Sequence, residues 1–133
     1  MHEPKSQMDM VVWALQERAK ELNCLYRIEE LLNNQSLTHE ETFSGIAEAL
    51  PPGWQYPDYC NARIEFNDAV FTSGNFYETQ WVQKAEIVVQ DMPMGMISVY
   101  YTEEMPTADE GPFLKEERKL INTIADRIAH YAL

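Results

Sequence analysis

The chain has 133 residues, 45% of them hydrophobic, enough for one domain with a packed core and too few for two ordinary ones. Twenty-two acidic against ten basic side chains give a net charge of −12, a field that repels phosphate backbones and anionic lipid alike, so neither nucleic acid nor membrane is an expected partner. No run approaches the roughly 20 apolar residues of a membrane helix. The segment Met1-His2-Glu3-Pro4-Lys5-Ser6-Gln7 lacks the basic-then-apolar order of a signal peptide, which points to a cytoplasmic protein. Cys24 and Cys60 stand far apart without a second ligand pair and read as buried, reduced thiols, with no disulfide framework, no metal and no cofactor expected.

From Gln7 to Asn33 a helical pattern runs without Gly or Pro and carries two apolar stripes. Met8, Val12, Leu15, Ala19, Leu22 and Tyr26 alternate by four and three, a seam of about 2.5 heptads suited to a partner helix. Leu25, Ile28 and Leu32 form an adjoining stripe suited to the domain core. The seam is short for a coiled coil, so ordinary packing within the domain is the alternative reading of the same residues. Thr38-His39-Glu40-Glu41 fits the capping box and opens a short helix over 38–50, with Phe43, Ile46, Ala47 and Leu50 facing inward. Pro51-Pro52-Gly53 ends it, and the aromatic, Pro-broken segment Trp54 to Tyr59 reads as an ordered connection.

The period then changes to two. Cys60, Ala62, Ile64 and Phe66 alternate with Asn61, Arg63 and Glu65, one apolar face on a strand. Asn67-Asp68 supplies a tight hairpin turn, since both residues tolerate positive φ, and Ala69 to Ser73 is the return strand. A long third strand puts Trp81, Ala85, Ile87 and Val89 on one face and Val82, Lys84, Glu86 and Val88 on the other. Gln90 to Gly95 reads as its turn, and Met96 to Tyr101 closes a second hairpin. After an acidic loop, Gly111 and Pro112 open a final helix over 112–133. Its stripe is Phe113, Leu120, Ile121, Ile124, Ala125, Ile128 and Tyr131. No Gly, Asn or Pro closes that pattern by Leu133, so the helix is expected to continue. Helices segregated from antiparallel strands predict an α+β domain: a sheet of four to five strands over 60–101, with the N- and C-terminal helices packed on one face.

Catalytic signals are weak. His2, His39 and His130 have no nucleophile or carboxylate at a useful spacing, and no nucleophile elbow, phosphate loop or H-E-x-x-H is present, so no catalytic residue is assigned. The carboxylates of Glu103, Glu104, Asp109 and Glu110 lack a calcium-loop spacing and read as a solvated loop whose last two acids favour the following helix start. Arg63 is the most informative polar residue: it can hold a carboxylate or phosphate bidentately, or pair with Glu65 or Glu86. Phe76, Tyr77, Trp81 and Tyr100 offer an aromatic rim around it if the strand register places them together; packing is the ordinary role of aromatics at strand positions and the alternative reading.

Gly95-Met96-Ile97-Ser98-Val99-Tyr100, followed by Phe113-Leu114-Lys115-Glu116-Glu117 and Leu120-Ile121 to Ala129, resembles the closing strand and helix of a GAF domain. Glu21 to Ile28, Pro52-Gly53-Trp54-Gln55-Tyr56-Pro57, Ala62-Arg63-Ile64 and Asp109 to Leu114 are similar to a GAF-like sensory subfamily. Its members sit in bacterial multidomain signalling proteins, often sensor histidine kinases, and beside phosphoenolpyruvate synthase-like enzymes. The resemblance implies a non-catalytic regulatory domain, with the face carrying Arg63, Phe76, Trp81 and Tyr100 on the ligand side. The chain departs from that pattern between its second strand and its long central strand. GAF domains usually place several tens of pocket-walling residues there, whereas only Gly74 to Gln80 fills the interval, so no cyclic nucleotide or tetrapyrrole is expected. Two functional expectations follow. One is a sensory domain that signals to a linked or partner domain through helix packing; the other is a structural dimerisation module that binds no small molecule. In both, the chain forms a homodimer through Met8, Val12, Leu15, Ala19 and Leu22.

Overall fold

The computed structural model of the chain describes residues 6–133. Its helices are α1 (Gln7–Asn33), α2 (His39–Ala49) and α3 (Lys115–Tyr131), and its strands are β1 (Cys60–Phe66), β2 (Ala69–Thr72), β3 (Val82–Val89) and β4 (Met92–Tyr101). Short 3₁₀ turns at Pro51–Gly53 and Pro57–Tyr59 link α2 to β1. Among the described residues the strands form one antiparallel sheet in the order β2-β1-β4-β3. The fold is α+β, as the change of hydrophobic period from 3.6 to two requires.

Each local signal has a structural counterpart. The Thr38 hydroxyl accepts from the Glu41 N–H at 3.1 Å while the Glu41 carboxylate accepts from the Thr38 N–H at 2.9 Å, which completes the capping box. Asn67 and Asp68 turn the first hairpin at φ of 49° and 70°. The second hairpin departs from its expected form: Gln90 and Asp91 alone make the turn, at φ of 49° and 67°, and β4 begins at Met92. Pro93 is tolerated inside that strand because the register shifts between Ile87 and Val88, so Pro93 sits at a bulge. Helix α3 begins at Lys115 and not at Pro112, because Gly111 at φ 55° turns the chain and bridges Glu110 to Phe113 first.

The helices cover one sheet face. Ala62, Ile64, Ala85, Ile87, Ile97, Val99 and Tyr101 meet Ile28, Phe43, Ile46, Leu50, Ile121, Ile124 and Ile128 in a single buried cluster. Trp54 is wholly buried in it and its indole donates to the Gln83 side chain at 3.1 Å. Gly95 is required where β4 pairs with Phe66 of β1, since a Cβ there collides with the Glu65 carbonyl oxygen. Helices α1 and α3 lie side by side and run parallel. Trp13 and Glu17 share a groove with Leu114 and Glu116, Glu21 and Leu25 share the next with Leu120 and Thr123, and Glu29 pairs with Arg127 at 3.0 Å further along.

Candidate functional surfaces

The sheet face turned away from the helices carries Asn61, Arg63 and Glu65 from β1, opposite Tyr100, Ser98 and Met96 of β4. Residues 73–80 fold back over it. The Ser73 hydroxyl accepts from the Ala62 N–H, the Asn61 amide donates to the Tyr77 carbonyl, and Phe76 stands edge-on to Tyr100 at 5.4 Å between centroids. Arg63 reaches Glu78 at 2.7 Å and Glu65 at 3.1 Å. The ion pair expected with Glu65 is present, but the second partner is Glu78 of the covering segment and not Glu86. Two carboxylates on one guanidinium leave no local excess of positive charge to attract an anion. Trp81 does not join this group. Its carbonyl accepts from the Tyr101 N–H, which puts it in register with Tyr101 on the helix side, where it packs against the core. Three of the four candidate ligand contacts, Arg63, Phe76 and Tyr100, are thus brought together, and the fourth lies across the sheet. Under the covering segment the Arg63 Nε and the Asn61 Oδ1 are buried and have no protein partner.

The apolar seam of α1 lies on the far side of that helix from the domain. Met8 is 71% exposed, Leu15 64%, Leu22 50% and Tyr26 70%, with Val12 and Ala19 exposed between them. The opposite side of the same helix buries Glu21, Cys24, Ile28 and Leu31. Ordinary packing within the domain therefore does not account for Met8, Val12, Leu15, Ala19 and Leu22.

A third feature was not singled out from the sequence. Glu117 is 1% exposed, on the buried stripe of α3 between Phe113 and Leu120. Its carboxylate accepts from the Leu114 N–H and the Gln55 N–H, both at 2.7 Å, and the Tyr101 hydroxyl lies 3.5 Å away. Burial pushes this carboxyl up to about 7, against the two N–H groups that favour its ionised form, with Glu17 adding repulsion and Lys20 attraction. Lys20 of α1 donates to the Trp54 and Gln55 carbonyls at 3.0 and 3.1 Å and pairs with Glu17 at 3.0 Å. Burial raises the Glu17 carboxyl too. The turn 54–55 is thus gripped by α1 through Lys20 and by α3 through Glu117. A signal was present in the sequence: positions 117, 120, 121 and 124 share one face of α3, which sets an acid at 117 in line with the buried apolar stripe.

Asp109, Glu110 and His39 have structural partners. Asp109 accepts from the Lys115 N–H at 2.9 Å at the start of α3. Glu110 holds Arg118 bidentately at 2.8 and 2.6 Å, and Arg118 also donates to the Lys84 carbonyl on edge strand β3. His39 stands edge-on to Tyr131 at 5.6 Å, His130 is exposed, and His2 lies outside the described residues. Among the described residues no three His, Cys, Asp or Glu side chains are grouped to hold a metal ion. No described helix is long and apolar enough to cross a membrane. The thiols are free, and burial raises Cys24 to about 12 and Cys60 further. Comparison with protein-family models, curated proteins and solved structures finds no match to this chain.

Proposed function

We propose that this is a non-catalytic, GAF-like regulatory domain of the cytoplasm that self-associates through α1 and passes a signal to a neighbouring domain through the packing of α1 on α3. The observation that carries this reading is the two-sided character of α1. One side is built into the domain beside a parallel α3, and the other presents an uncovered apolar seam on a protein of charge −12. The seam itself is free of the acidic charge that keeps the rest of the surface apart, which favours a second copy as its occupant.

Light scattering over a wide concentration range tests self-association. The wild type is expected to dimerise, and Leu15→Glu with Leu22→Glu to stay monomeric while keeping its helical and strand content. A wild type that is monomeric at millimolar concentration refutes the reading. The alternative, a dimerisation module without a ligand, is favoured by the closed state of Arg63 between Glu65 and Glu78. Sensing is favoured by the unpaired Arg63 Nε and Asn61 Oδ1 beneath residues 73–80. A thermal-shift screen with small carboxylates, phosphates and nucleotides separates them: stabilisation that disappears in Arg63→Ala supports sensing, and no stabilisation leaves the dimerisation module.

A further inference from the structure

Helix α1 is held to the domain unevenly. From Gln7 to Lys20 no residue is buried: Asp9, Trp13, Glu17 and Lys20 are half-buried and every other side chain is exposed. Burial begins at Glu21 and continues through Cys24, Ile28 and Leu31. A cleft of about 260 Å³ separates this first half from the start of α3, with Trp13, Ala14, Glu17 and Glu21 on one wall and Leu114 and Glu116 on the other. Segments with so few buried contacts are the first to open.

The contacts of this first half converge on Glu117. Leu114, on the α3 wall of the cleft, donates its N–H to the Glu117 carboxylate, and Lys20 holds the Gln55 carbonyl while the Gln55 N–H bonds that carboxylate. Among the groups facing Glu117, Glu17 of α1 repels its charged form and Lys20 attracts it; the Arg18–Glu21 pair and Glu116 line the cleft beyond. The Cys60 thiol of β1 and the Tyr101 hydroxyl of β4 are raised by burial and stay neutral, and turn 54–55 carries no titratable side chain. Ionising Glu117 therefore buries a charge beside Glu17, and the cation facing it, Lys20, is already shared among Glu17 and two carbonyls. We infer that the first half of α1, Gln7 to Lys20, is a proton-dependent clasp: it lies on α3 while Glu117 is protonated and separates when Glu117 ionises, opening the carboxyl to water through the cleft. Neither self-association nor a ligand is needed for this release. A carboxyl pushed up to about 7 in the closed form returns toward 4.5 once hydrated, so opening grows easier with each step of pH between those values and no easier above 7. Over that interval the opening equilibrium gains up to about 300-fold. So short a helical segment frays once its tertiary contacts are lost, which makes the release visible in its amides.

Hydrogen exchange read by mass spectrometry between pH 5 and 8, corrected for the intrinsic pH dependence of amide exchange, tests the clasp on the wild type. Peptides within 7–20 are expected to exchange faster than β4 at every pH. Their corrected rate is expected to rise by as much as about 40-fold from pH 5 to 7 and only about twofold more to pH 8. A corrected rate over 7–20 that does not change with pH overturns the clasp, as does a rate equal to that of β4, which means that this half opens only with the whole chain. Glu117→Gln cannot ionise and is expected to show one corrected rate over 7–20 across the range; the wild-type rise in that variant overturns the role of Glu117. Glu17→Gln changes a half-buried residue, leaves the Glu117 carboxyl in place and serves as a second check if Glu117→Gln does not fold. With the repulsion from Glu17 gone, the rise is expected to level off at a lower pH, and an unmoved profile overturns the coupling between α1 and Glu117.

Discussion

Replacing Glu117 by Gln is expected to change how stability depends on pH. The buried carboxyl titrates near 7 in the folded protein and near 4.5 when unfolded. Between those values the folded state holds a proton that the unfolded state has released, so the folded state is progressively disfavoured as pH rises. Stability from this group is full below about 4.5, falls through the interval and is flat above about 7. With each pKa unit equivalent to about 1.4 kcal/mol, the interval is worth about 3 kcal/mol. This runs opposite to the common carboxylate case, exemplified here by Glu41 and Glu110, whose carboxyls are held below their ordinary value by Thr38 and Arg118. Their contribution is lost only as pH falls below the ordinary carboxylate range, outside the window of Glu117.

Glutamine keeps the shape and cannot ionise, but its NH₂ group meets one of the two N–H donors, from Leu114 or Gln55. That mismatch costs about 1–3 kcal/mol at any pH. Glu117→Gln is therefore expected to be less stable than wild type at pH 5 and nearly equal to it at pH 8. Urea unfolding at half-unit steps of pH, followed by fluorescence of the buried Trp54, measures both curves. Rising self-repulsion of a chain of charge −12 tilts both in the same sense, so the difference between them isolates the carboxyl. Parallel curves from pH 5 to 8 would refute the reasoning, since they mean that Glu117 holds no extra proton in the folded state.

Gly95→Ala forces a methyl group into the Glu65 carbonyl where β4 pairs with β1; a loss of about 2 kcal/mol or more is expected in the same urea assay. Arg118→Ala releases Glu110 and the Lys84 carbonyl together. The pair is partly exposed, so the stability loss should be no more than about 1 kcal/mol, with faster amide exchange along β3 as the visible effect. Alkylation of Cys24 and Cys60 by iodoacetamide at pH 8 should be slow in the native protein and fast in urea, because burial raises both thiols; rapid native labelling would place them nearer the surface.

What could be read from the sequence follows from how local the causes are. The Thr38 capping box and the Asn67-Asp68 turn depend on residues within a turn of one another, and both form as the sequence implies. Gln90-Asp91 makes the same turn from a residue, Gln, that carries little turn preference, so the adjacent Pro93 and Gly95 drew the expected turn too far along the chain. Periodicity placed Trp81 with Ala85 and Ile87, and all three lie on the helix side; grouping Trp81 with Tyr100 in one rim required a pairing of β3 with β4 that the structure does not have. The Glu65 partner of Arg63 was foreseen, but the second was not: Glu78 lies in a segment with no regular period and reaches β1 only by folding back across the sheet. Heptad spacing identified the seam, whereas only burial could say which of the two stripes of α1 the domain keeps for itself.

On its buried side α1 is tied to α3 through a shared turn. Lys20 holds the Trp54 and Gln55 carbonyls from the α1 side, and Glu117 holds the Gln55 N–H from the α3 side. Trp54 fixes the same turn to the sheet through Gln83. A sliding of α1 along α3 therefore cannot leave this turn unchanged. It must break the Glu117 bond and the bonds of the charged Lys20, the latter worth about 1.5–3 kcal/mol each, or carry the turn with it and disturb the buried indole. The exposed stripe and the junction lie on opposite sides of one helix, Leu15 and Leu22 on one and Lys20 and Glu21 on the other, so the contacts that fix α1 to the domain leave the stripe untouched.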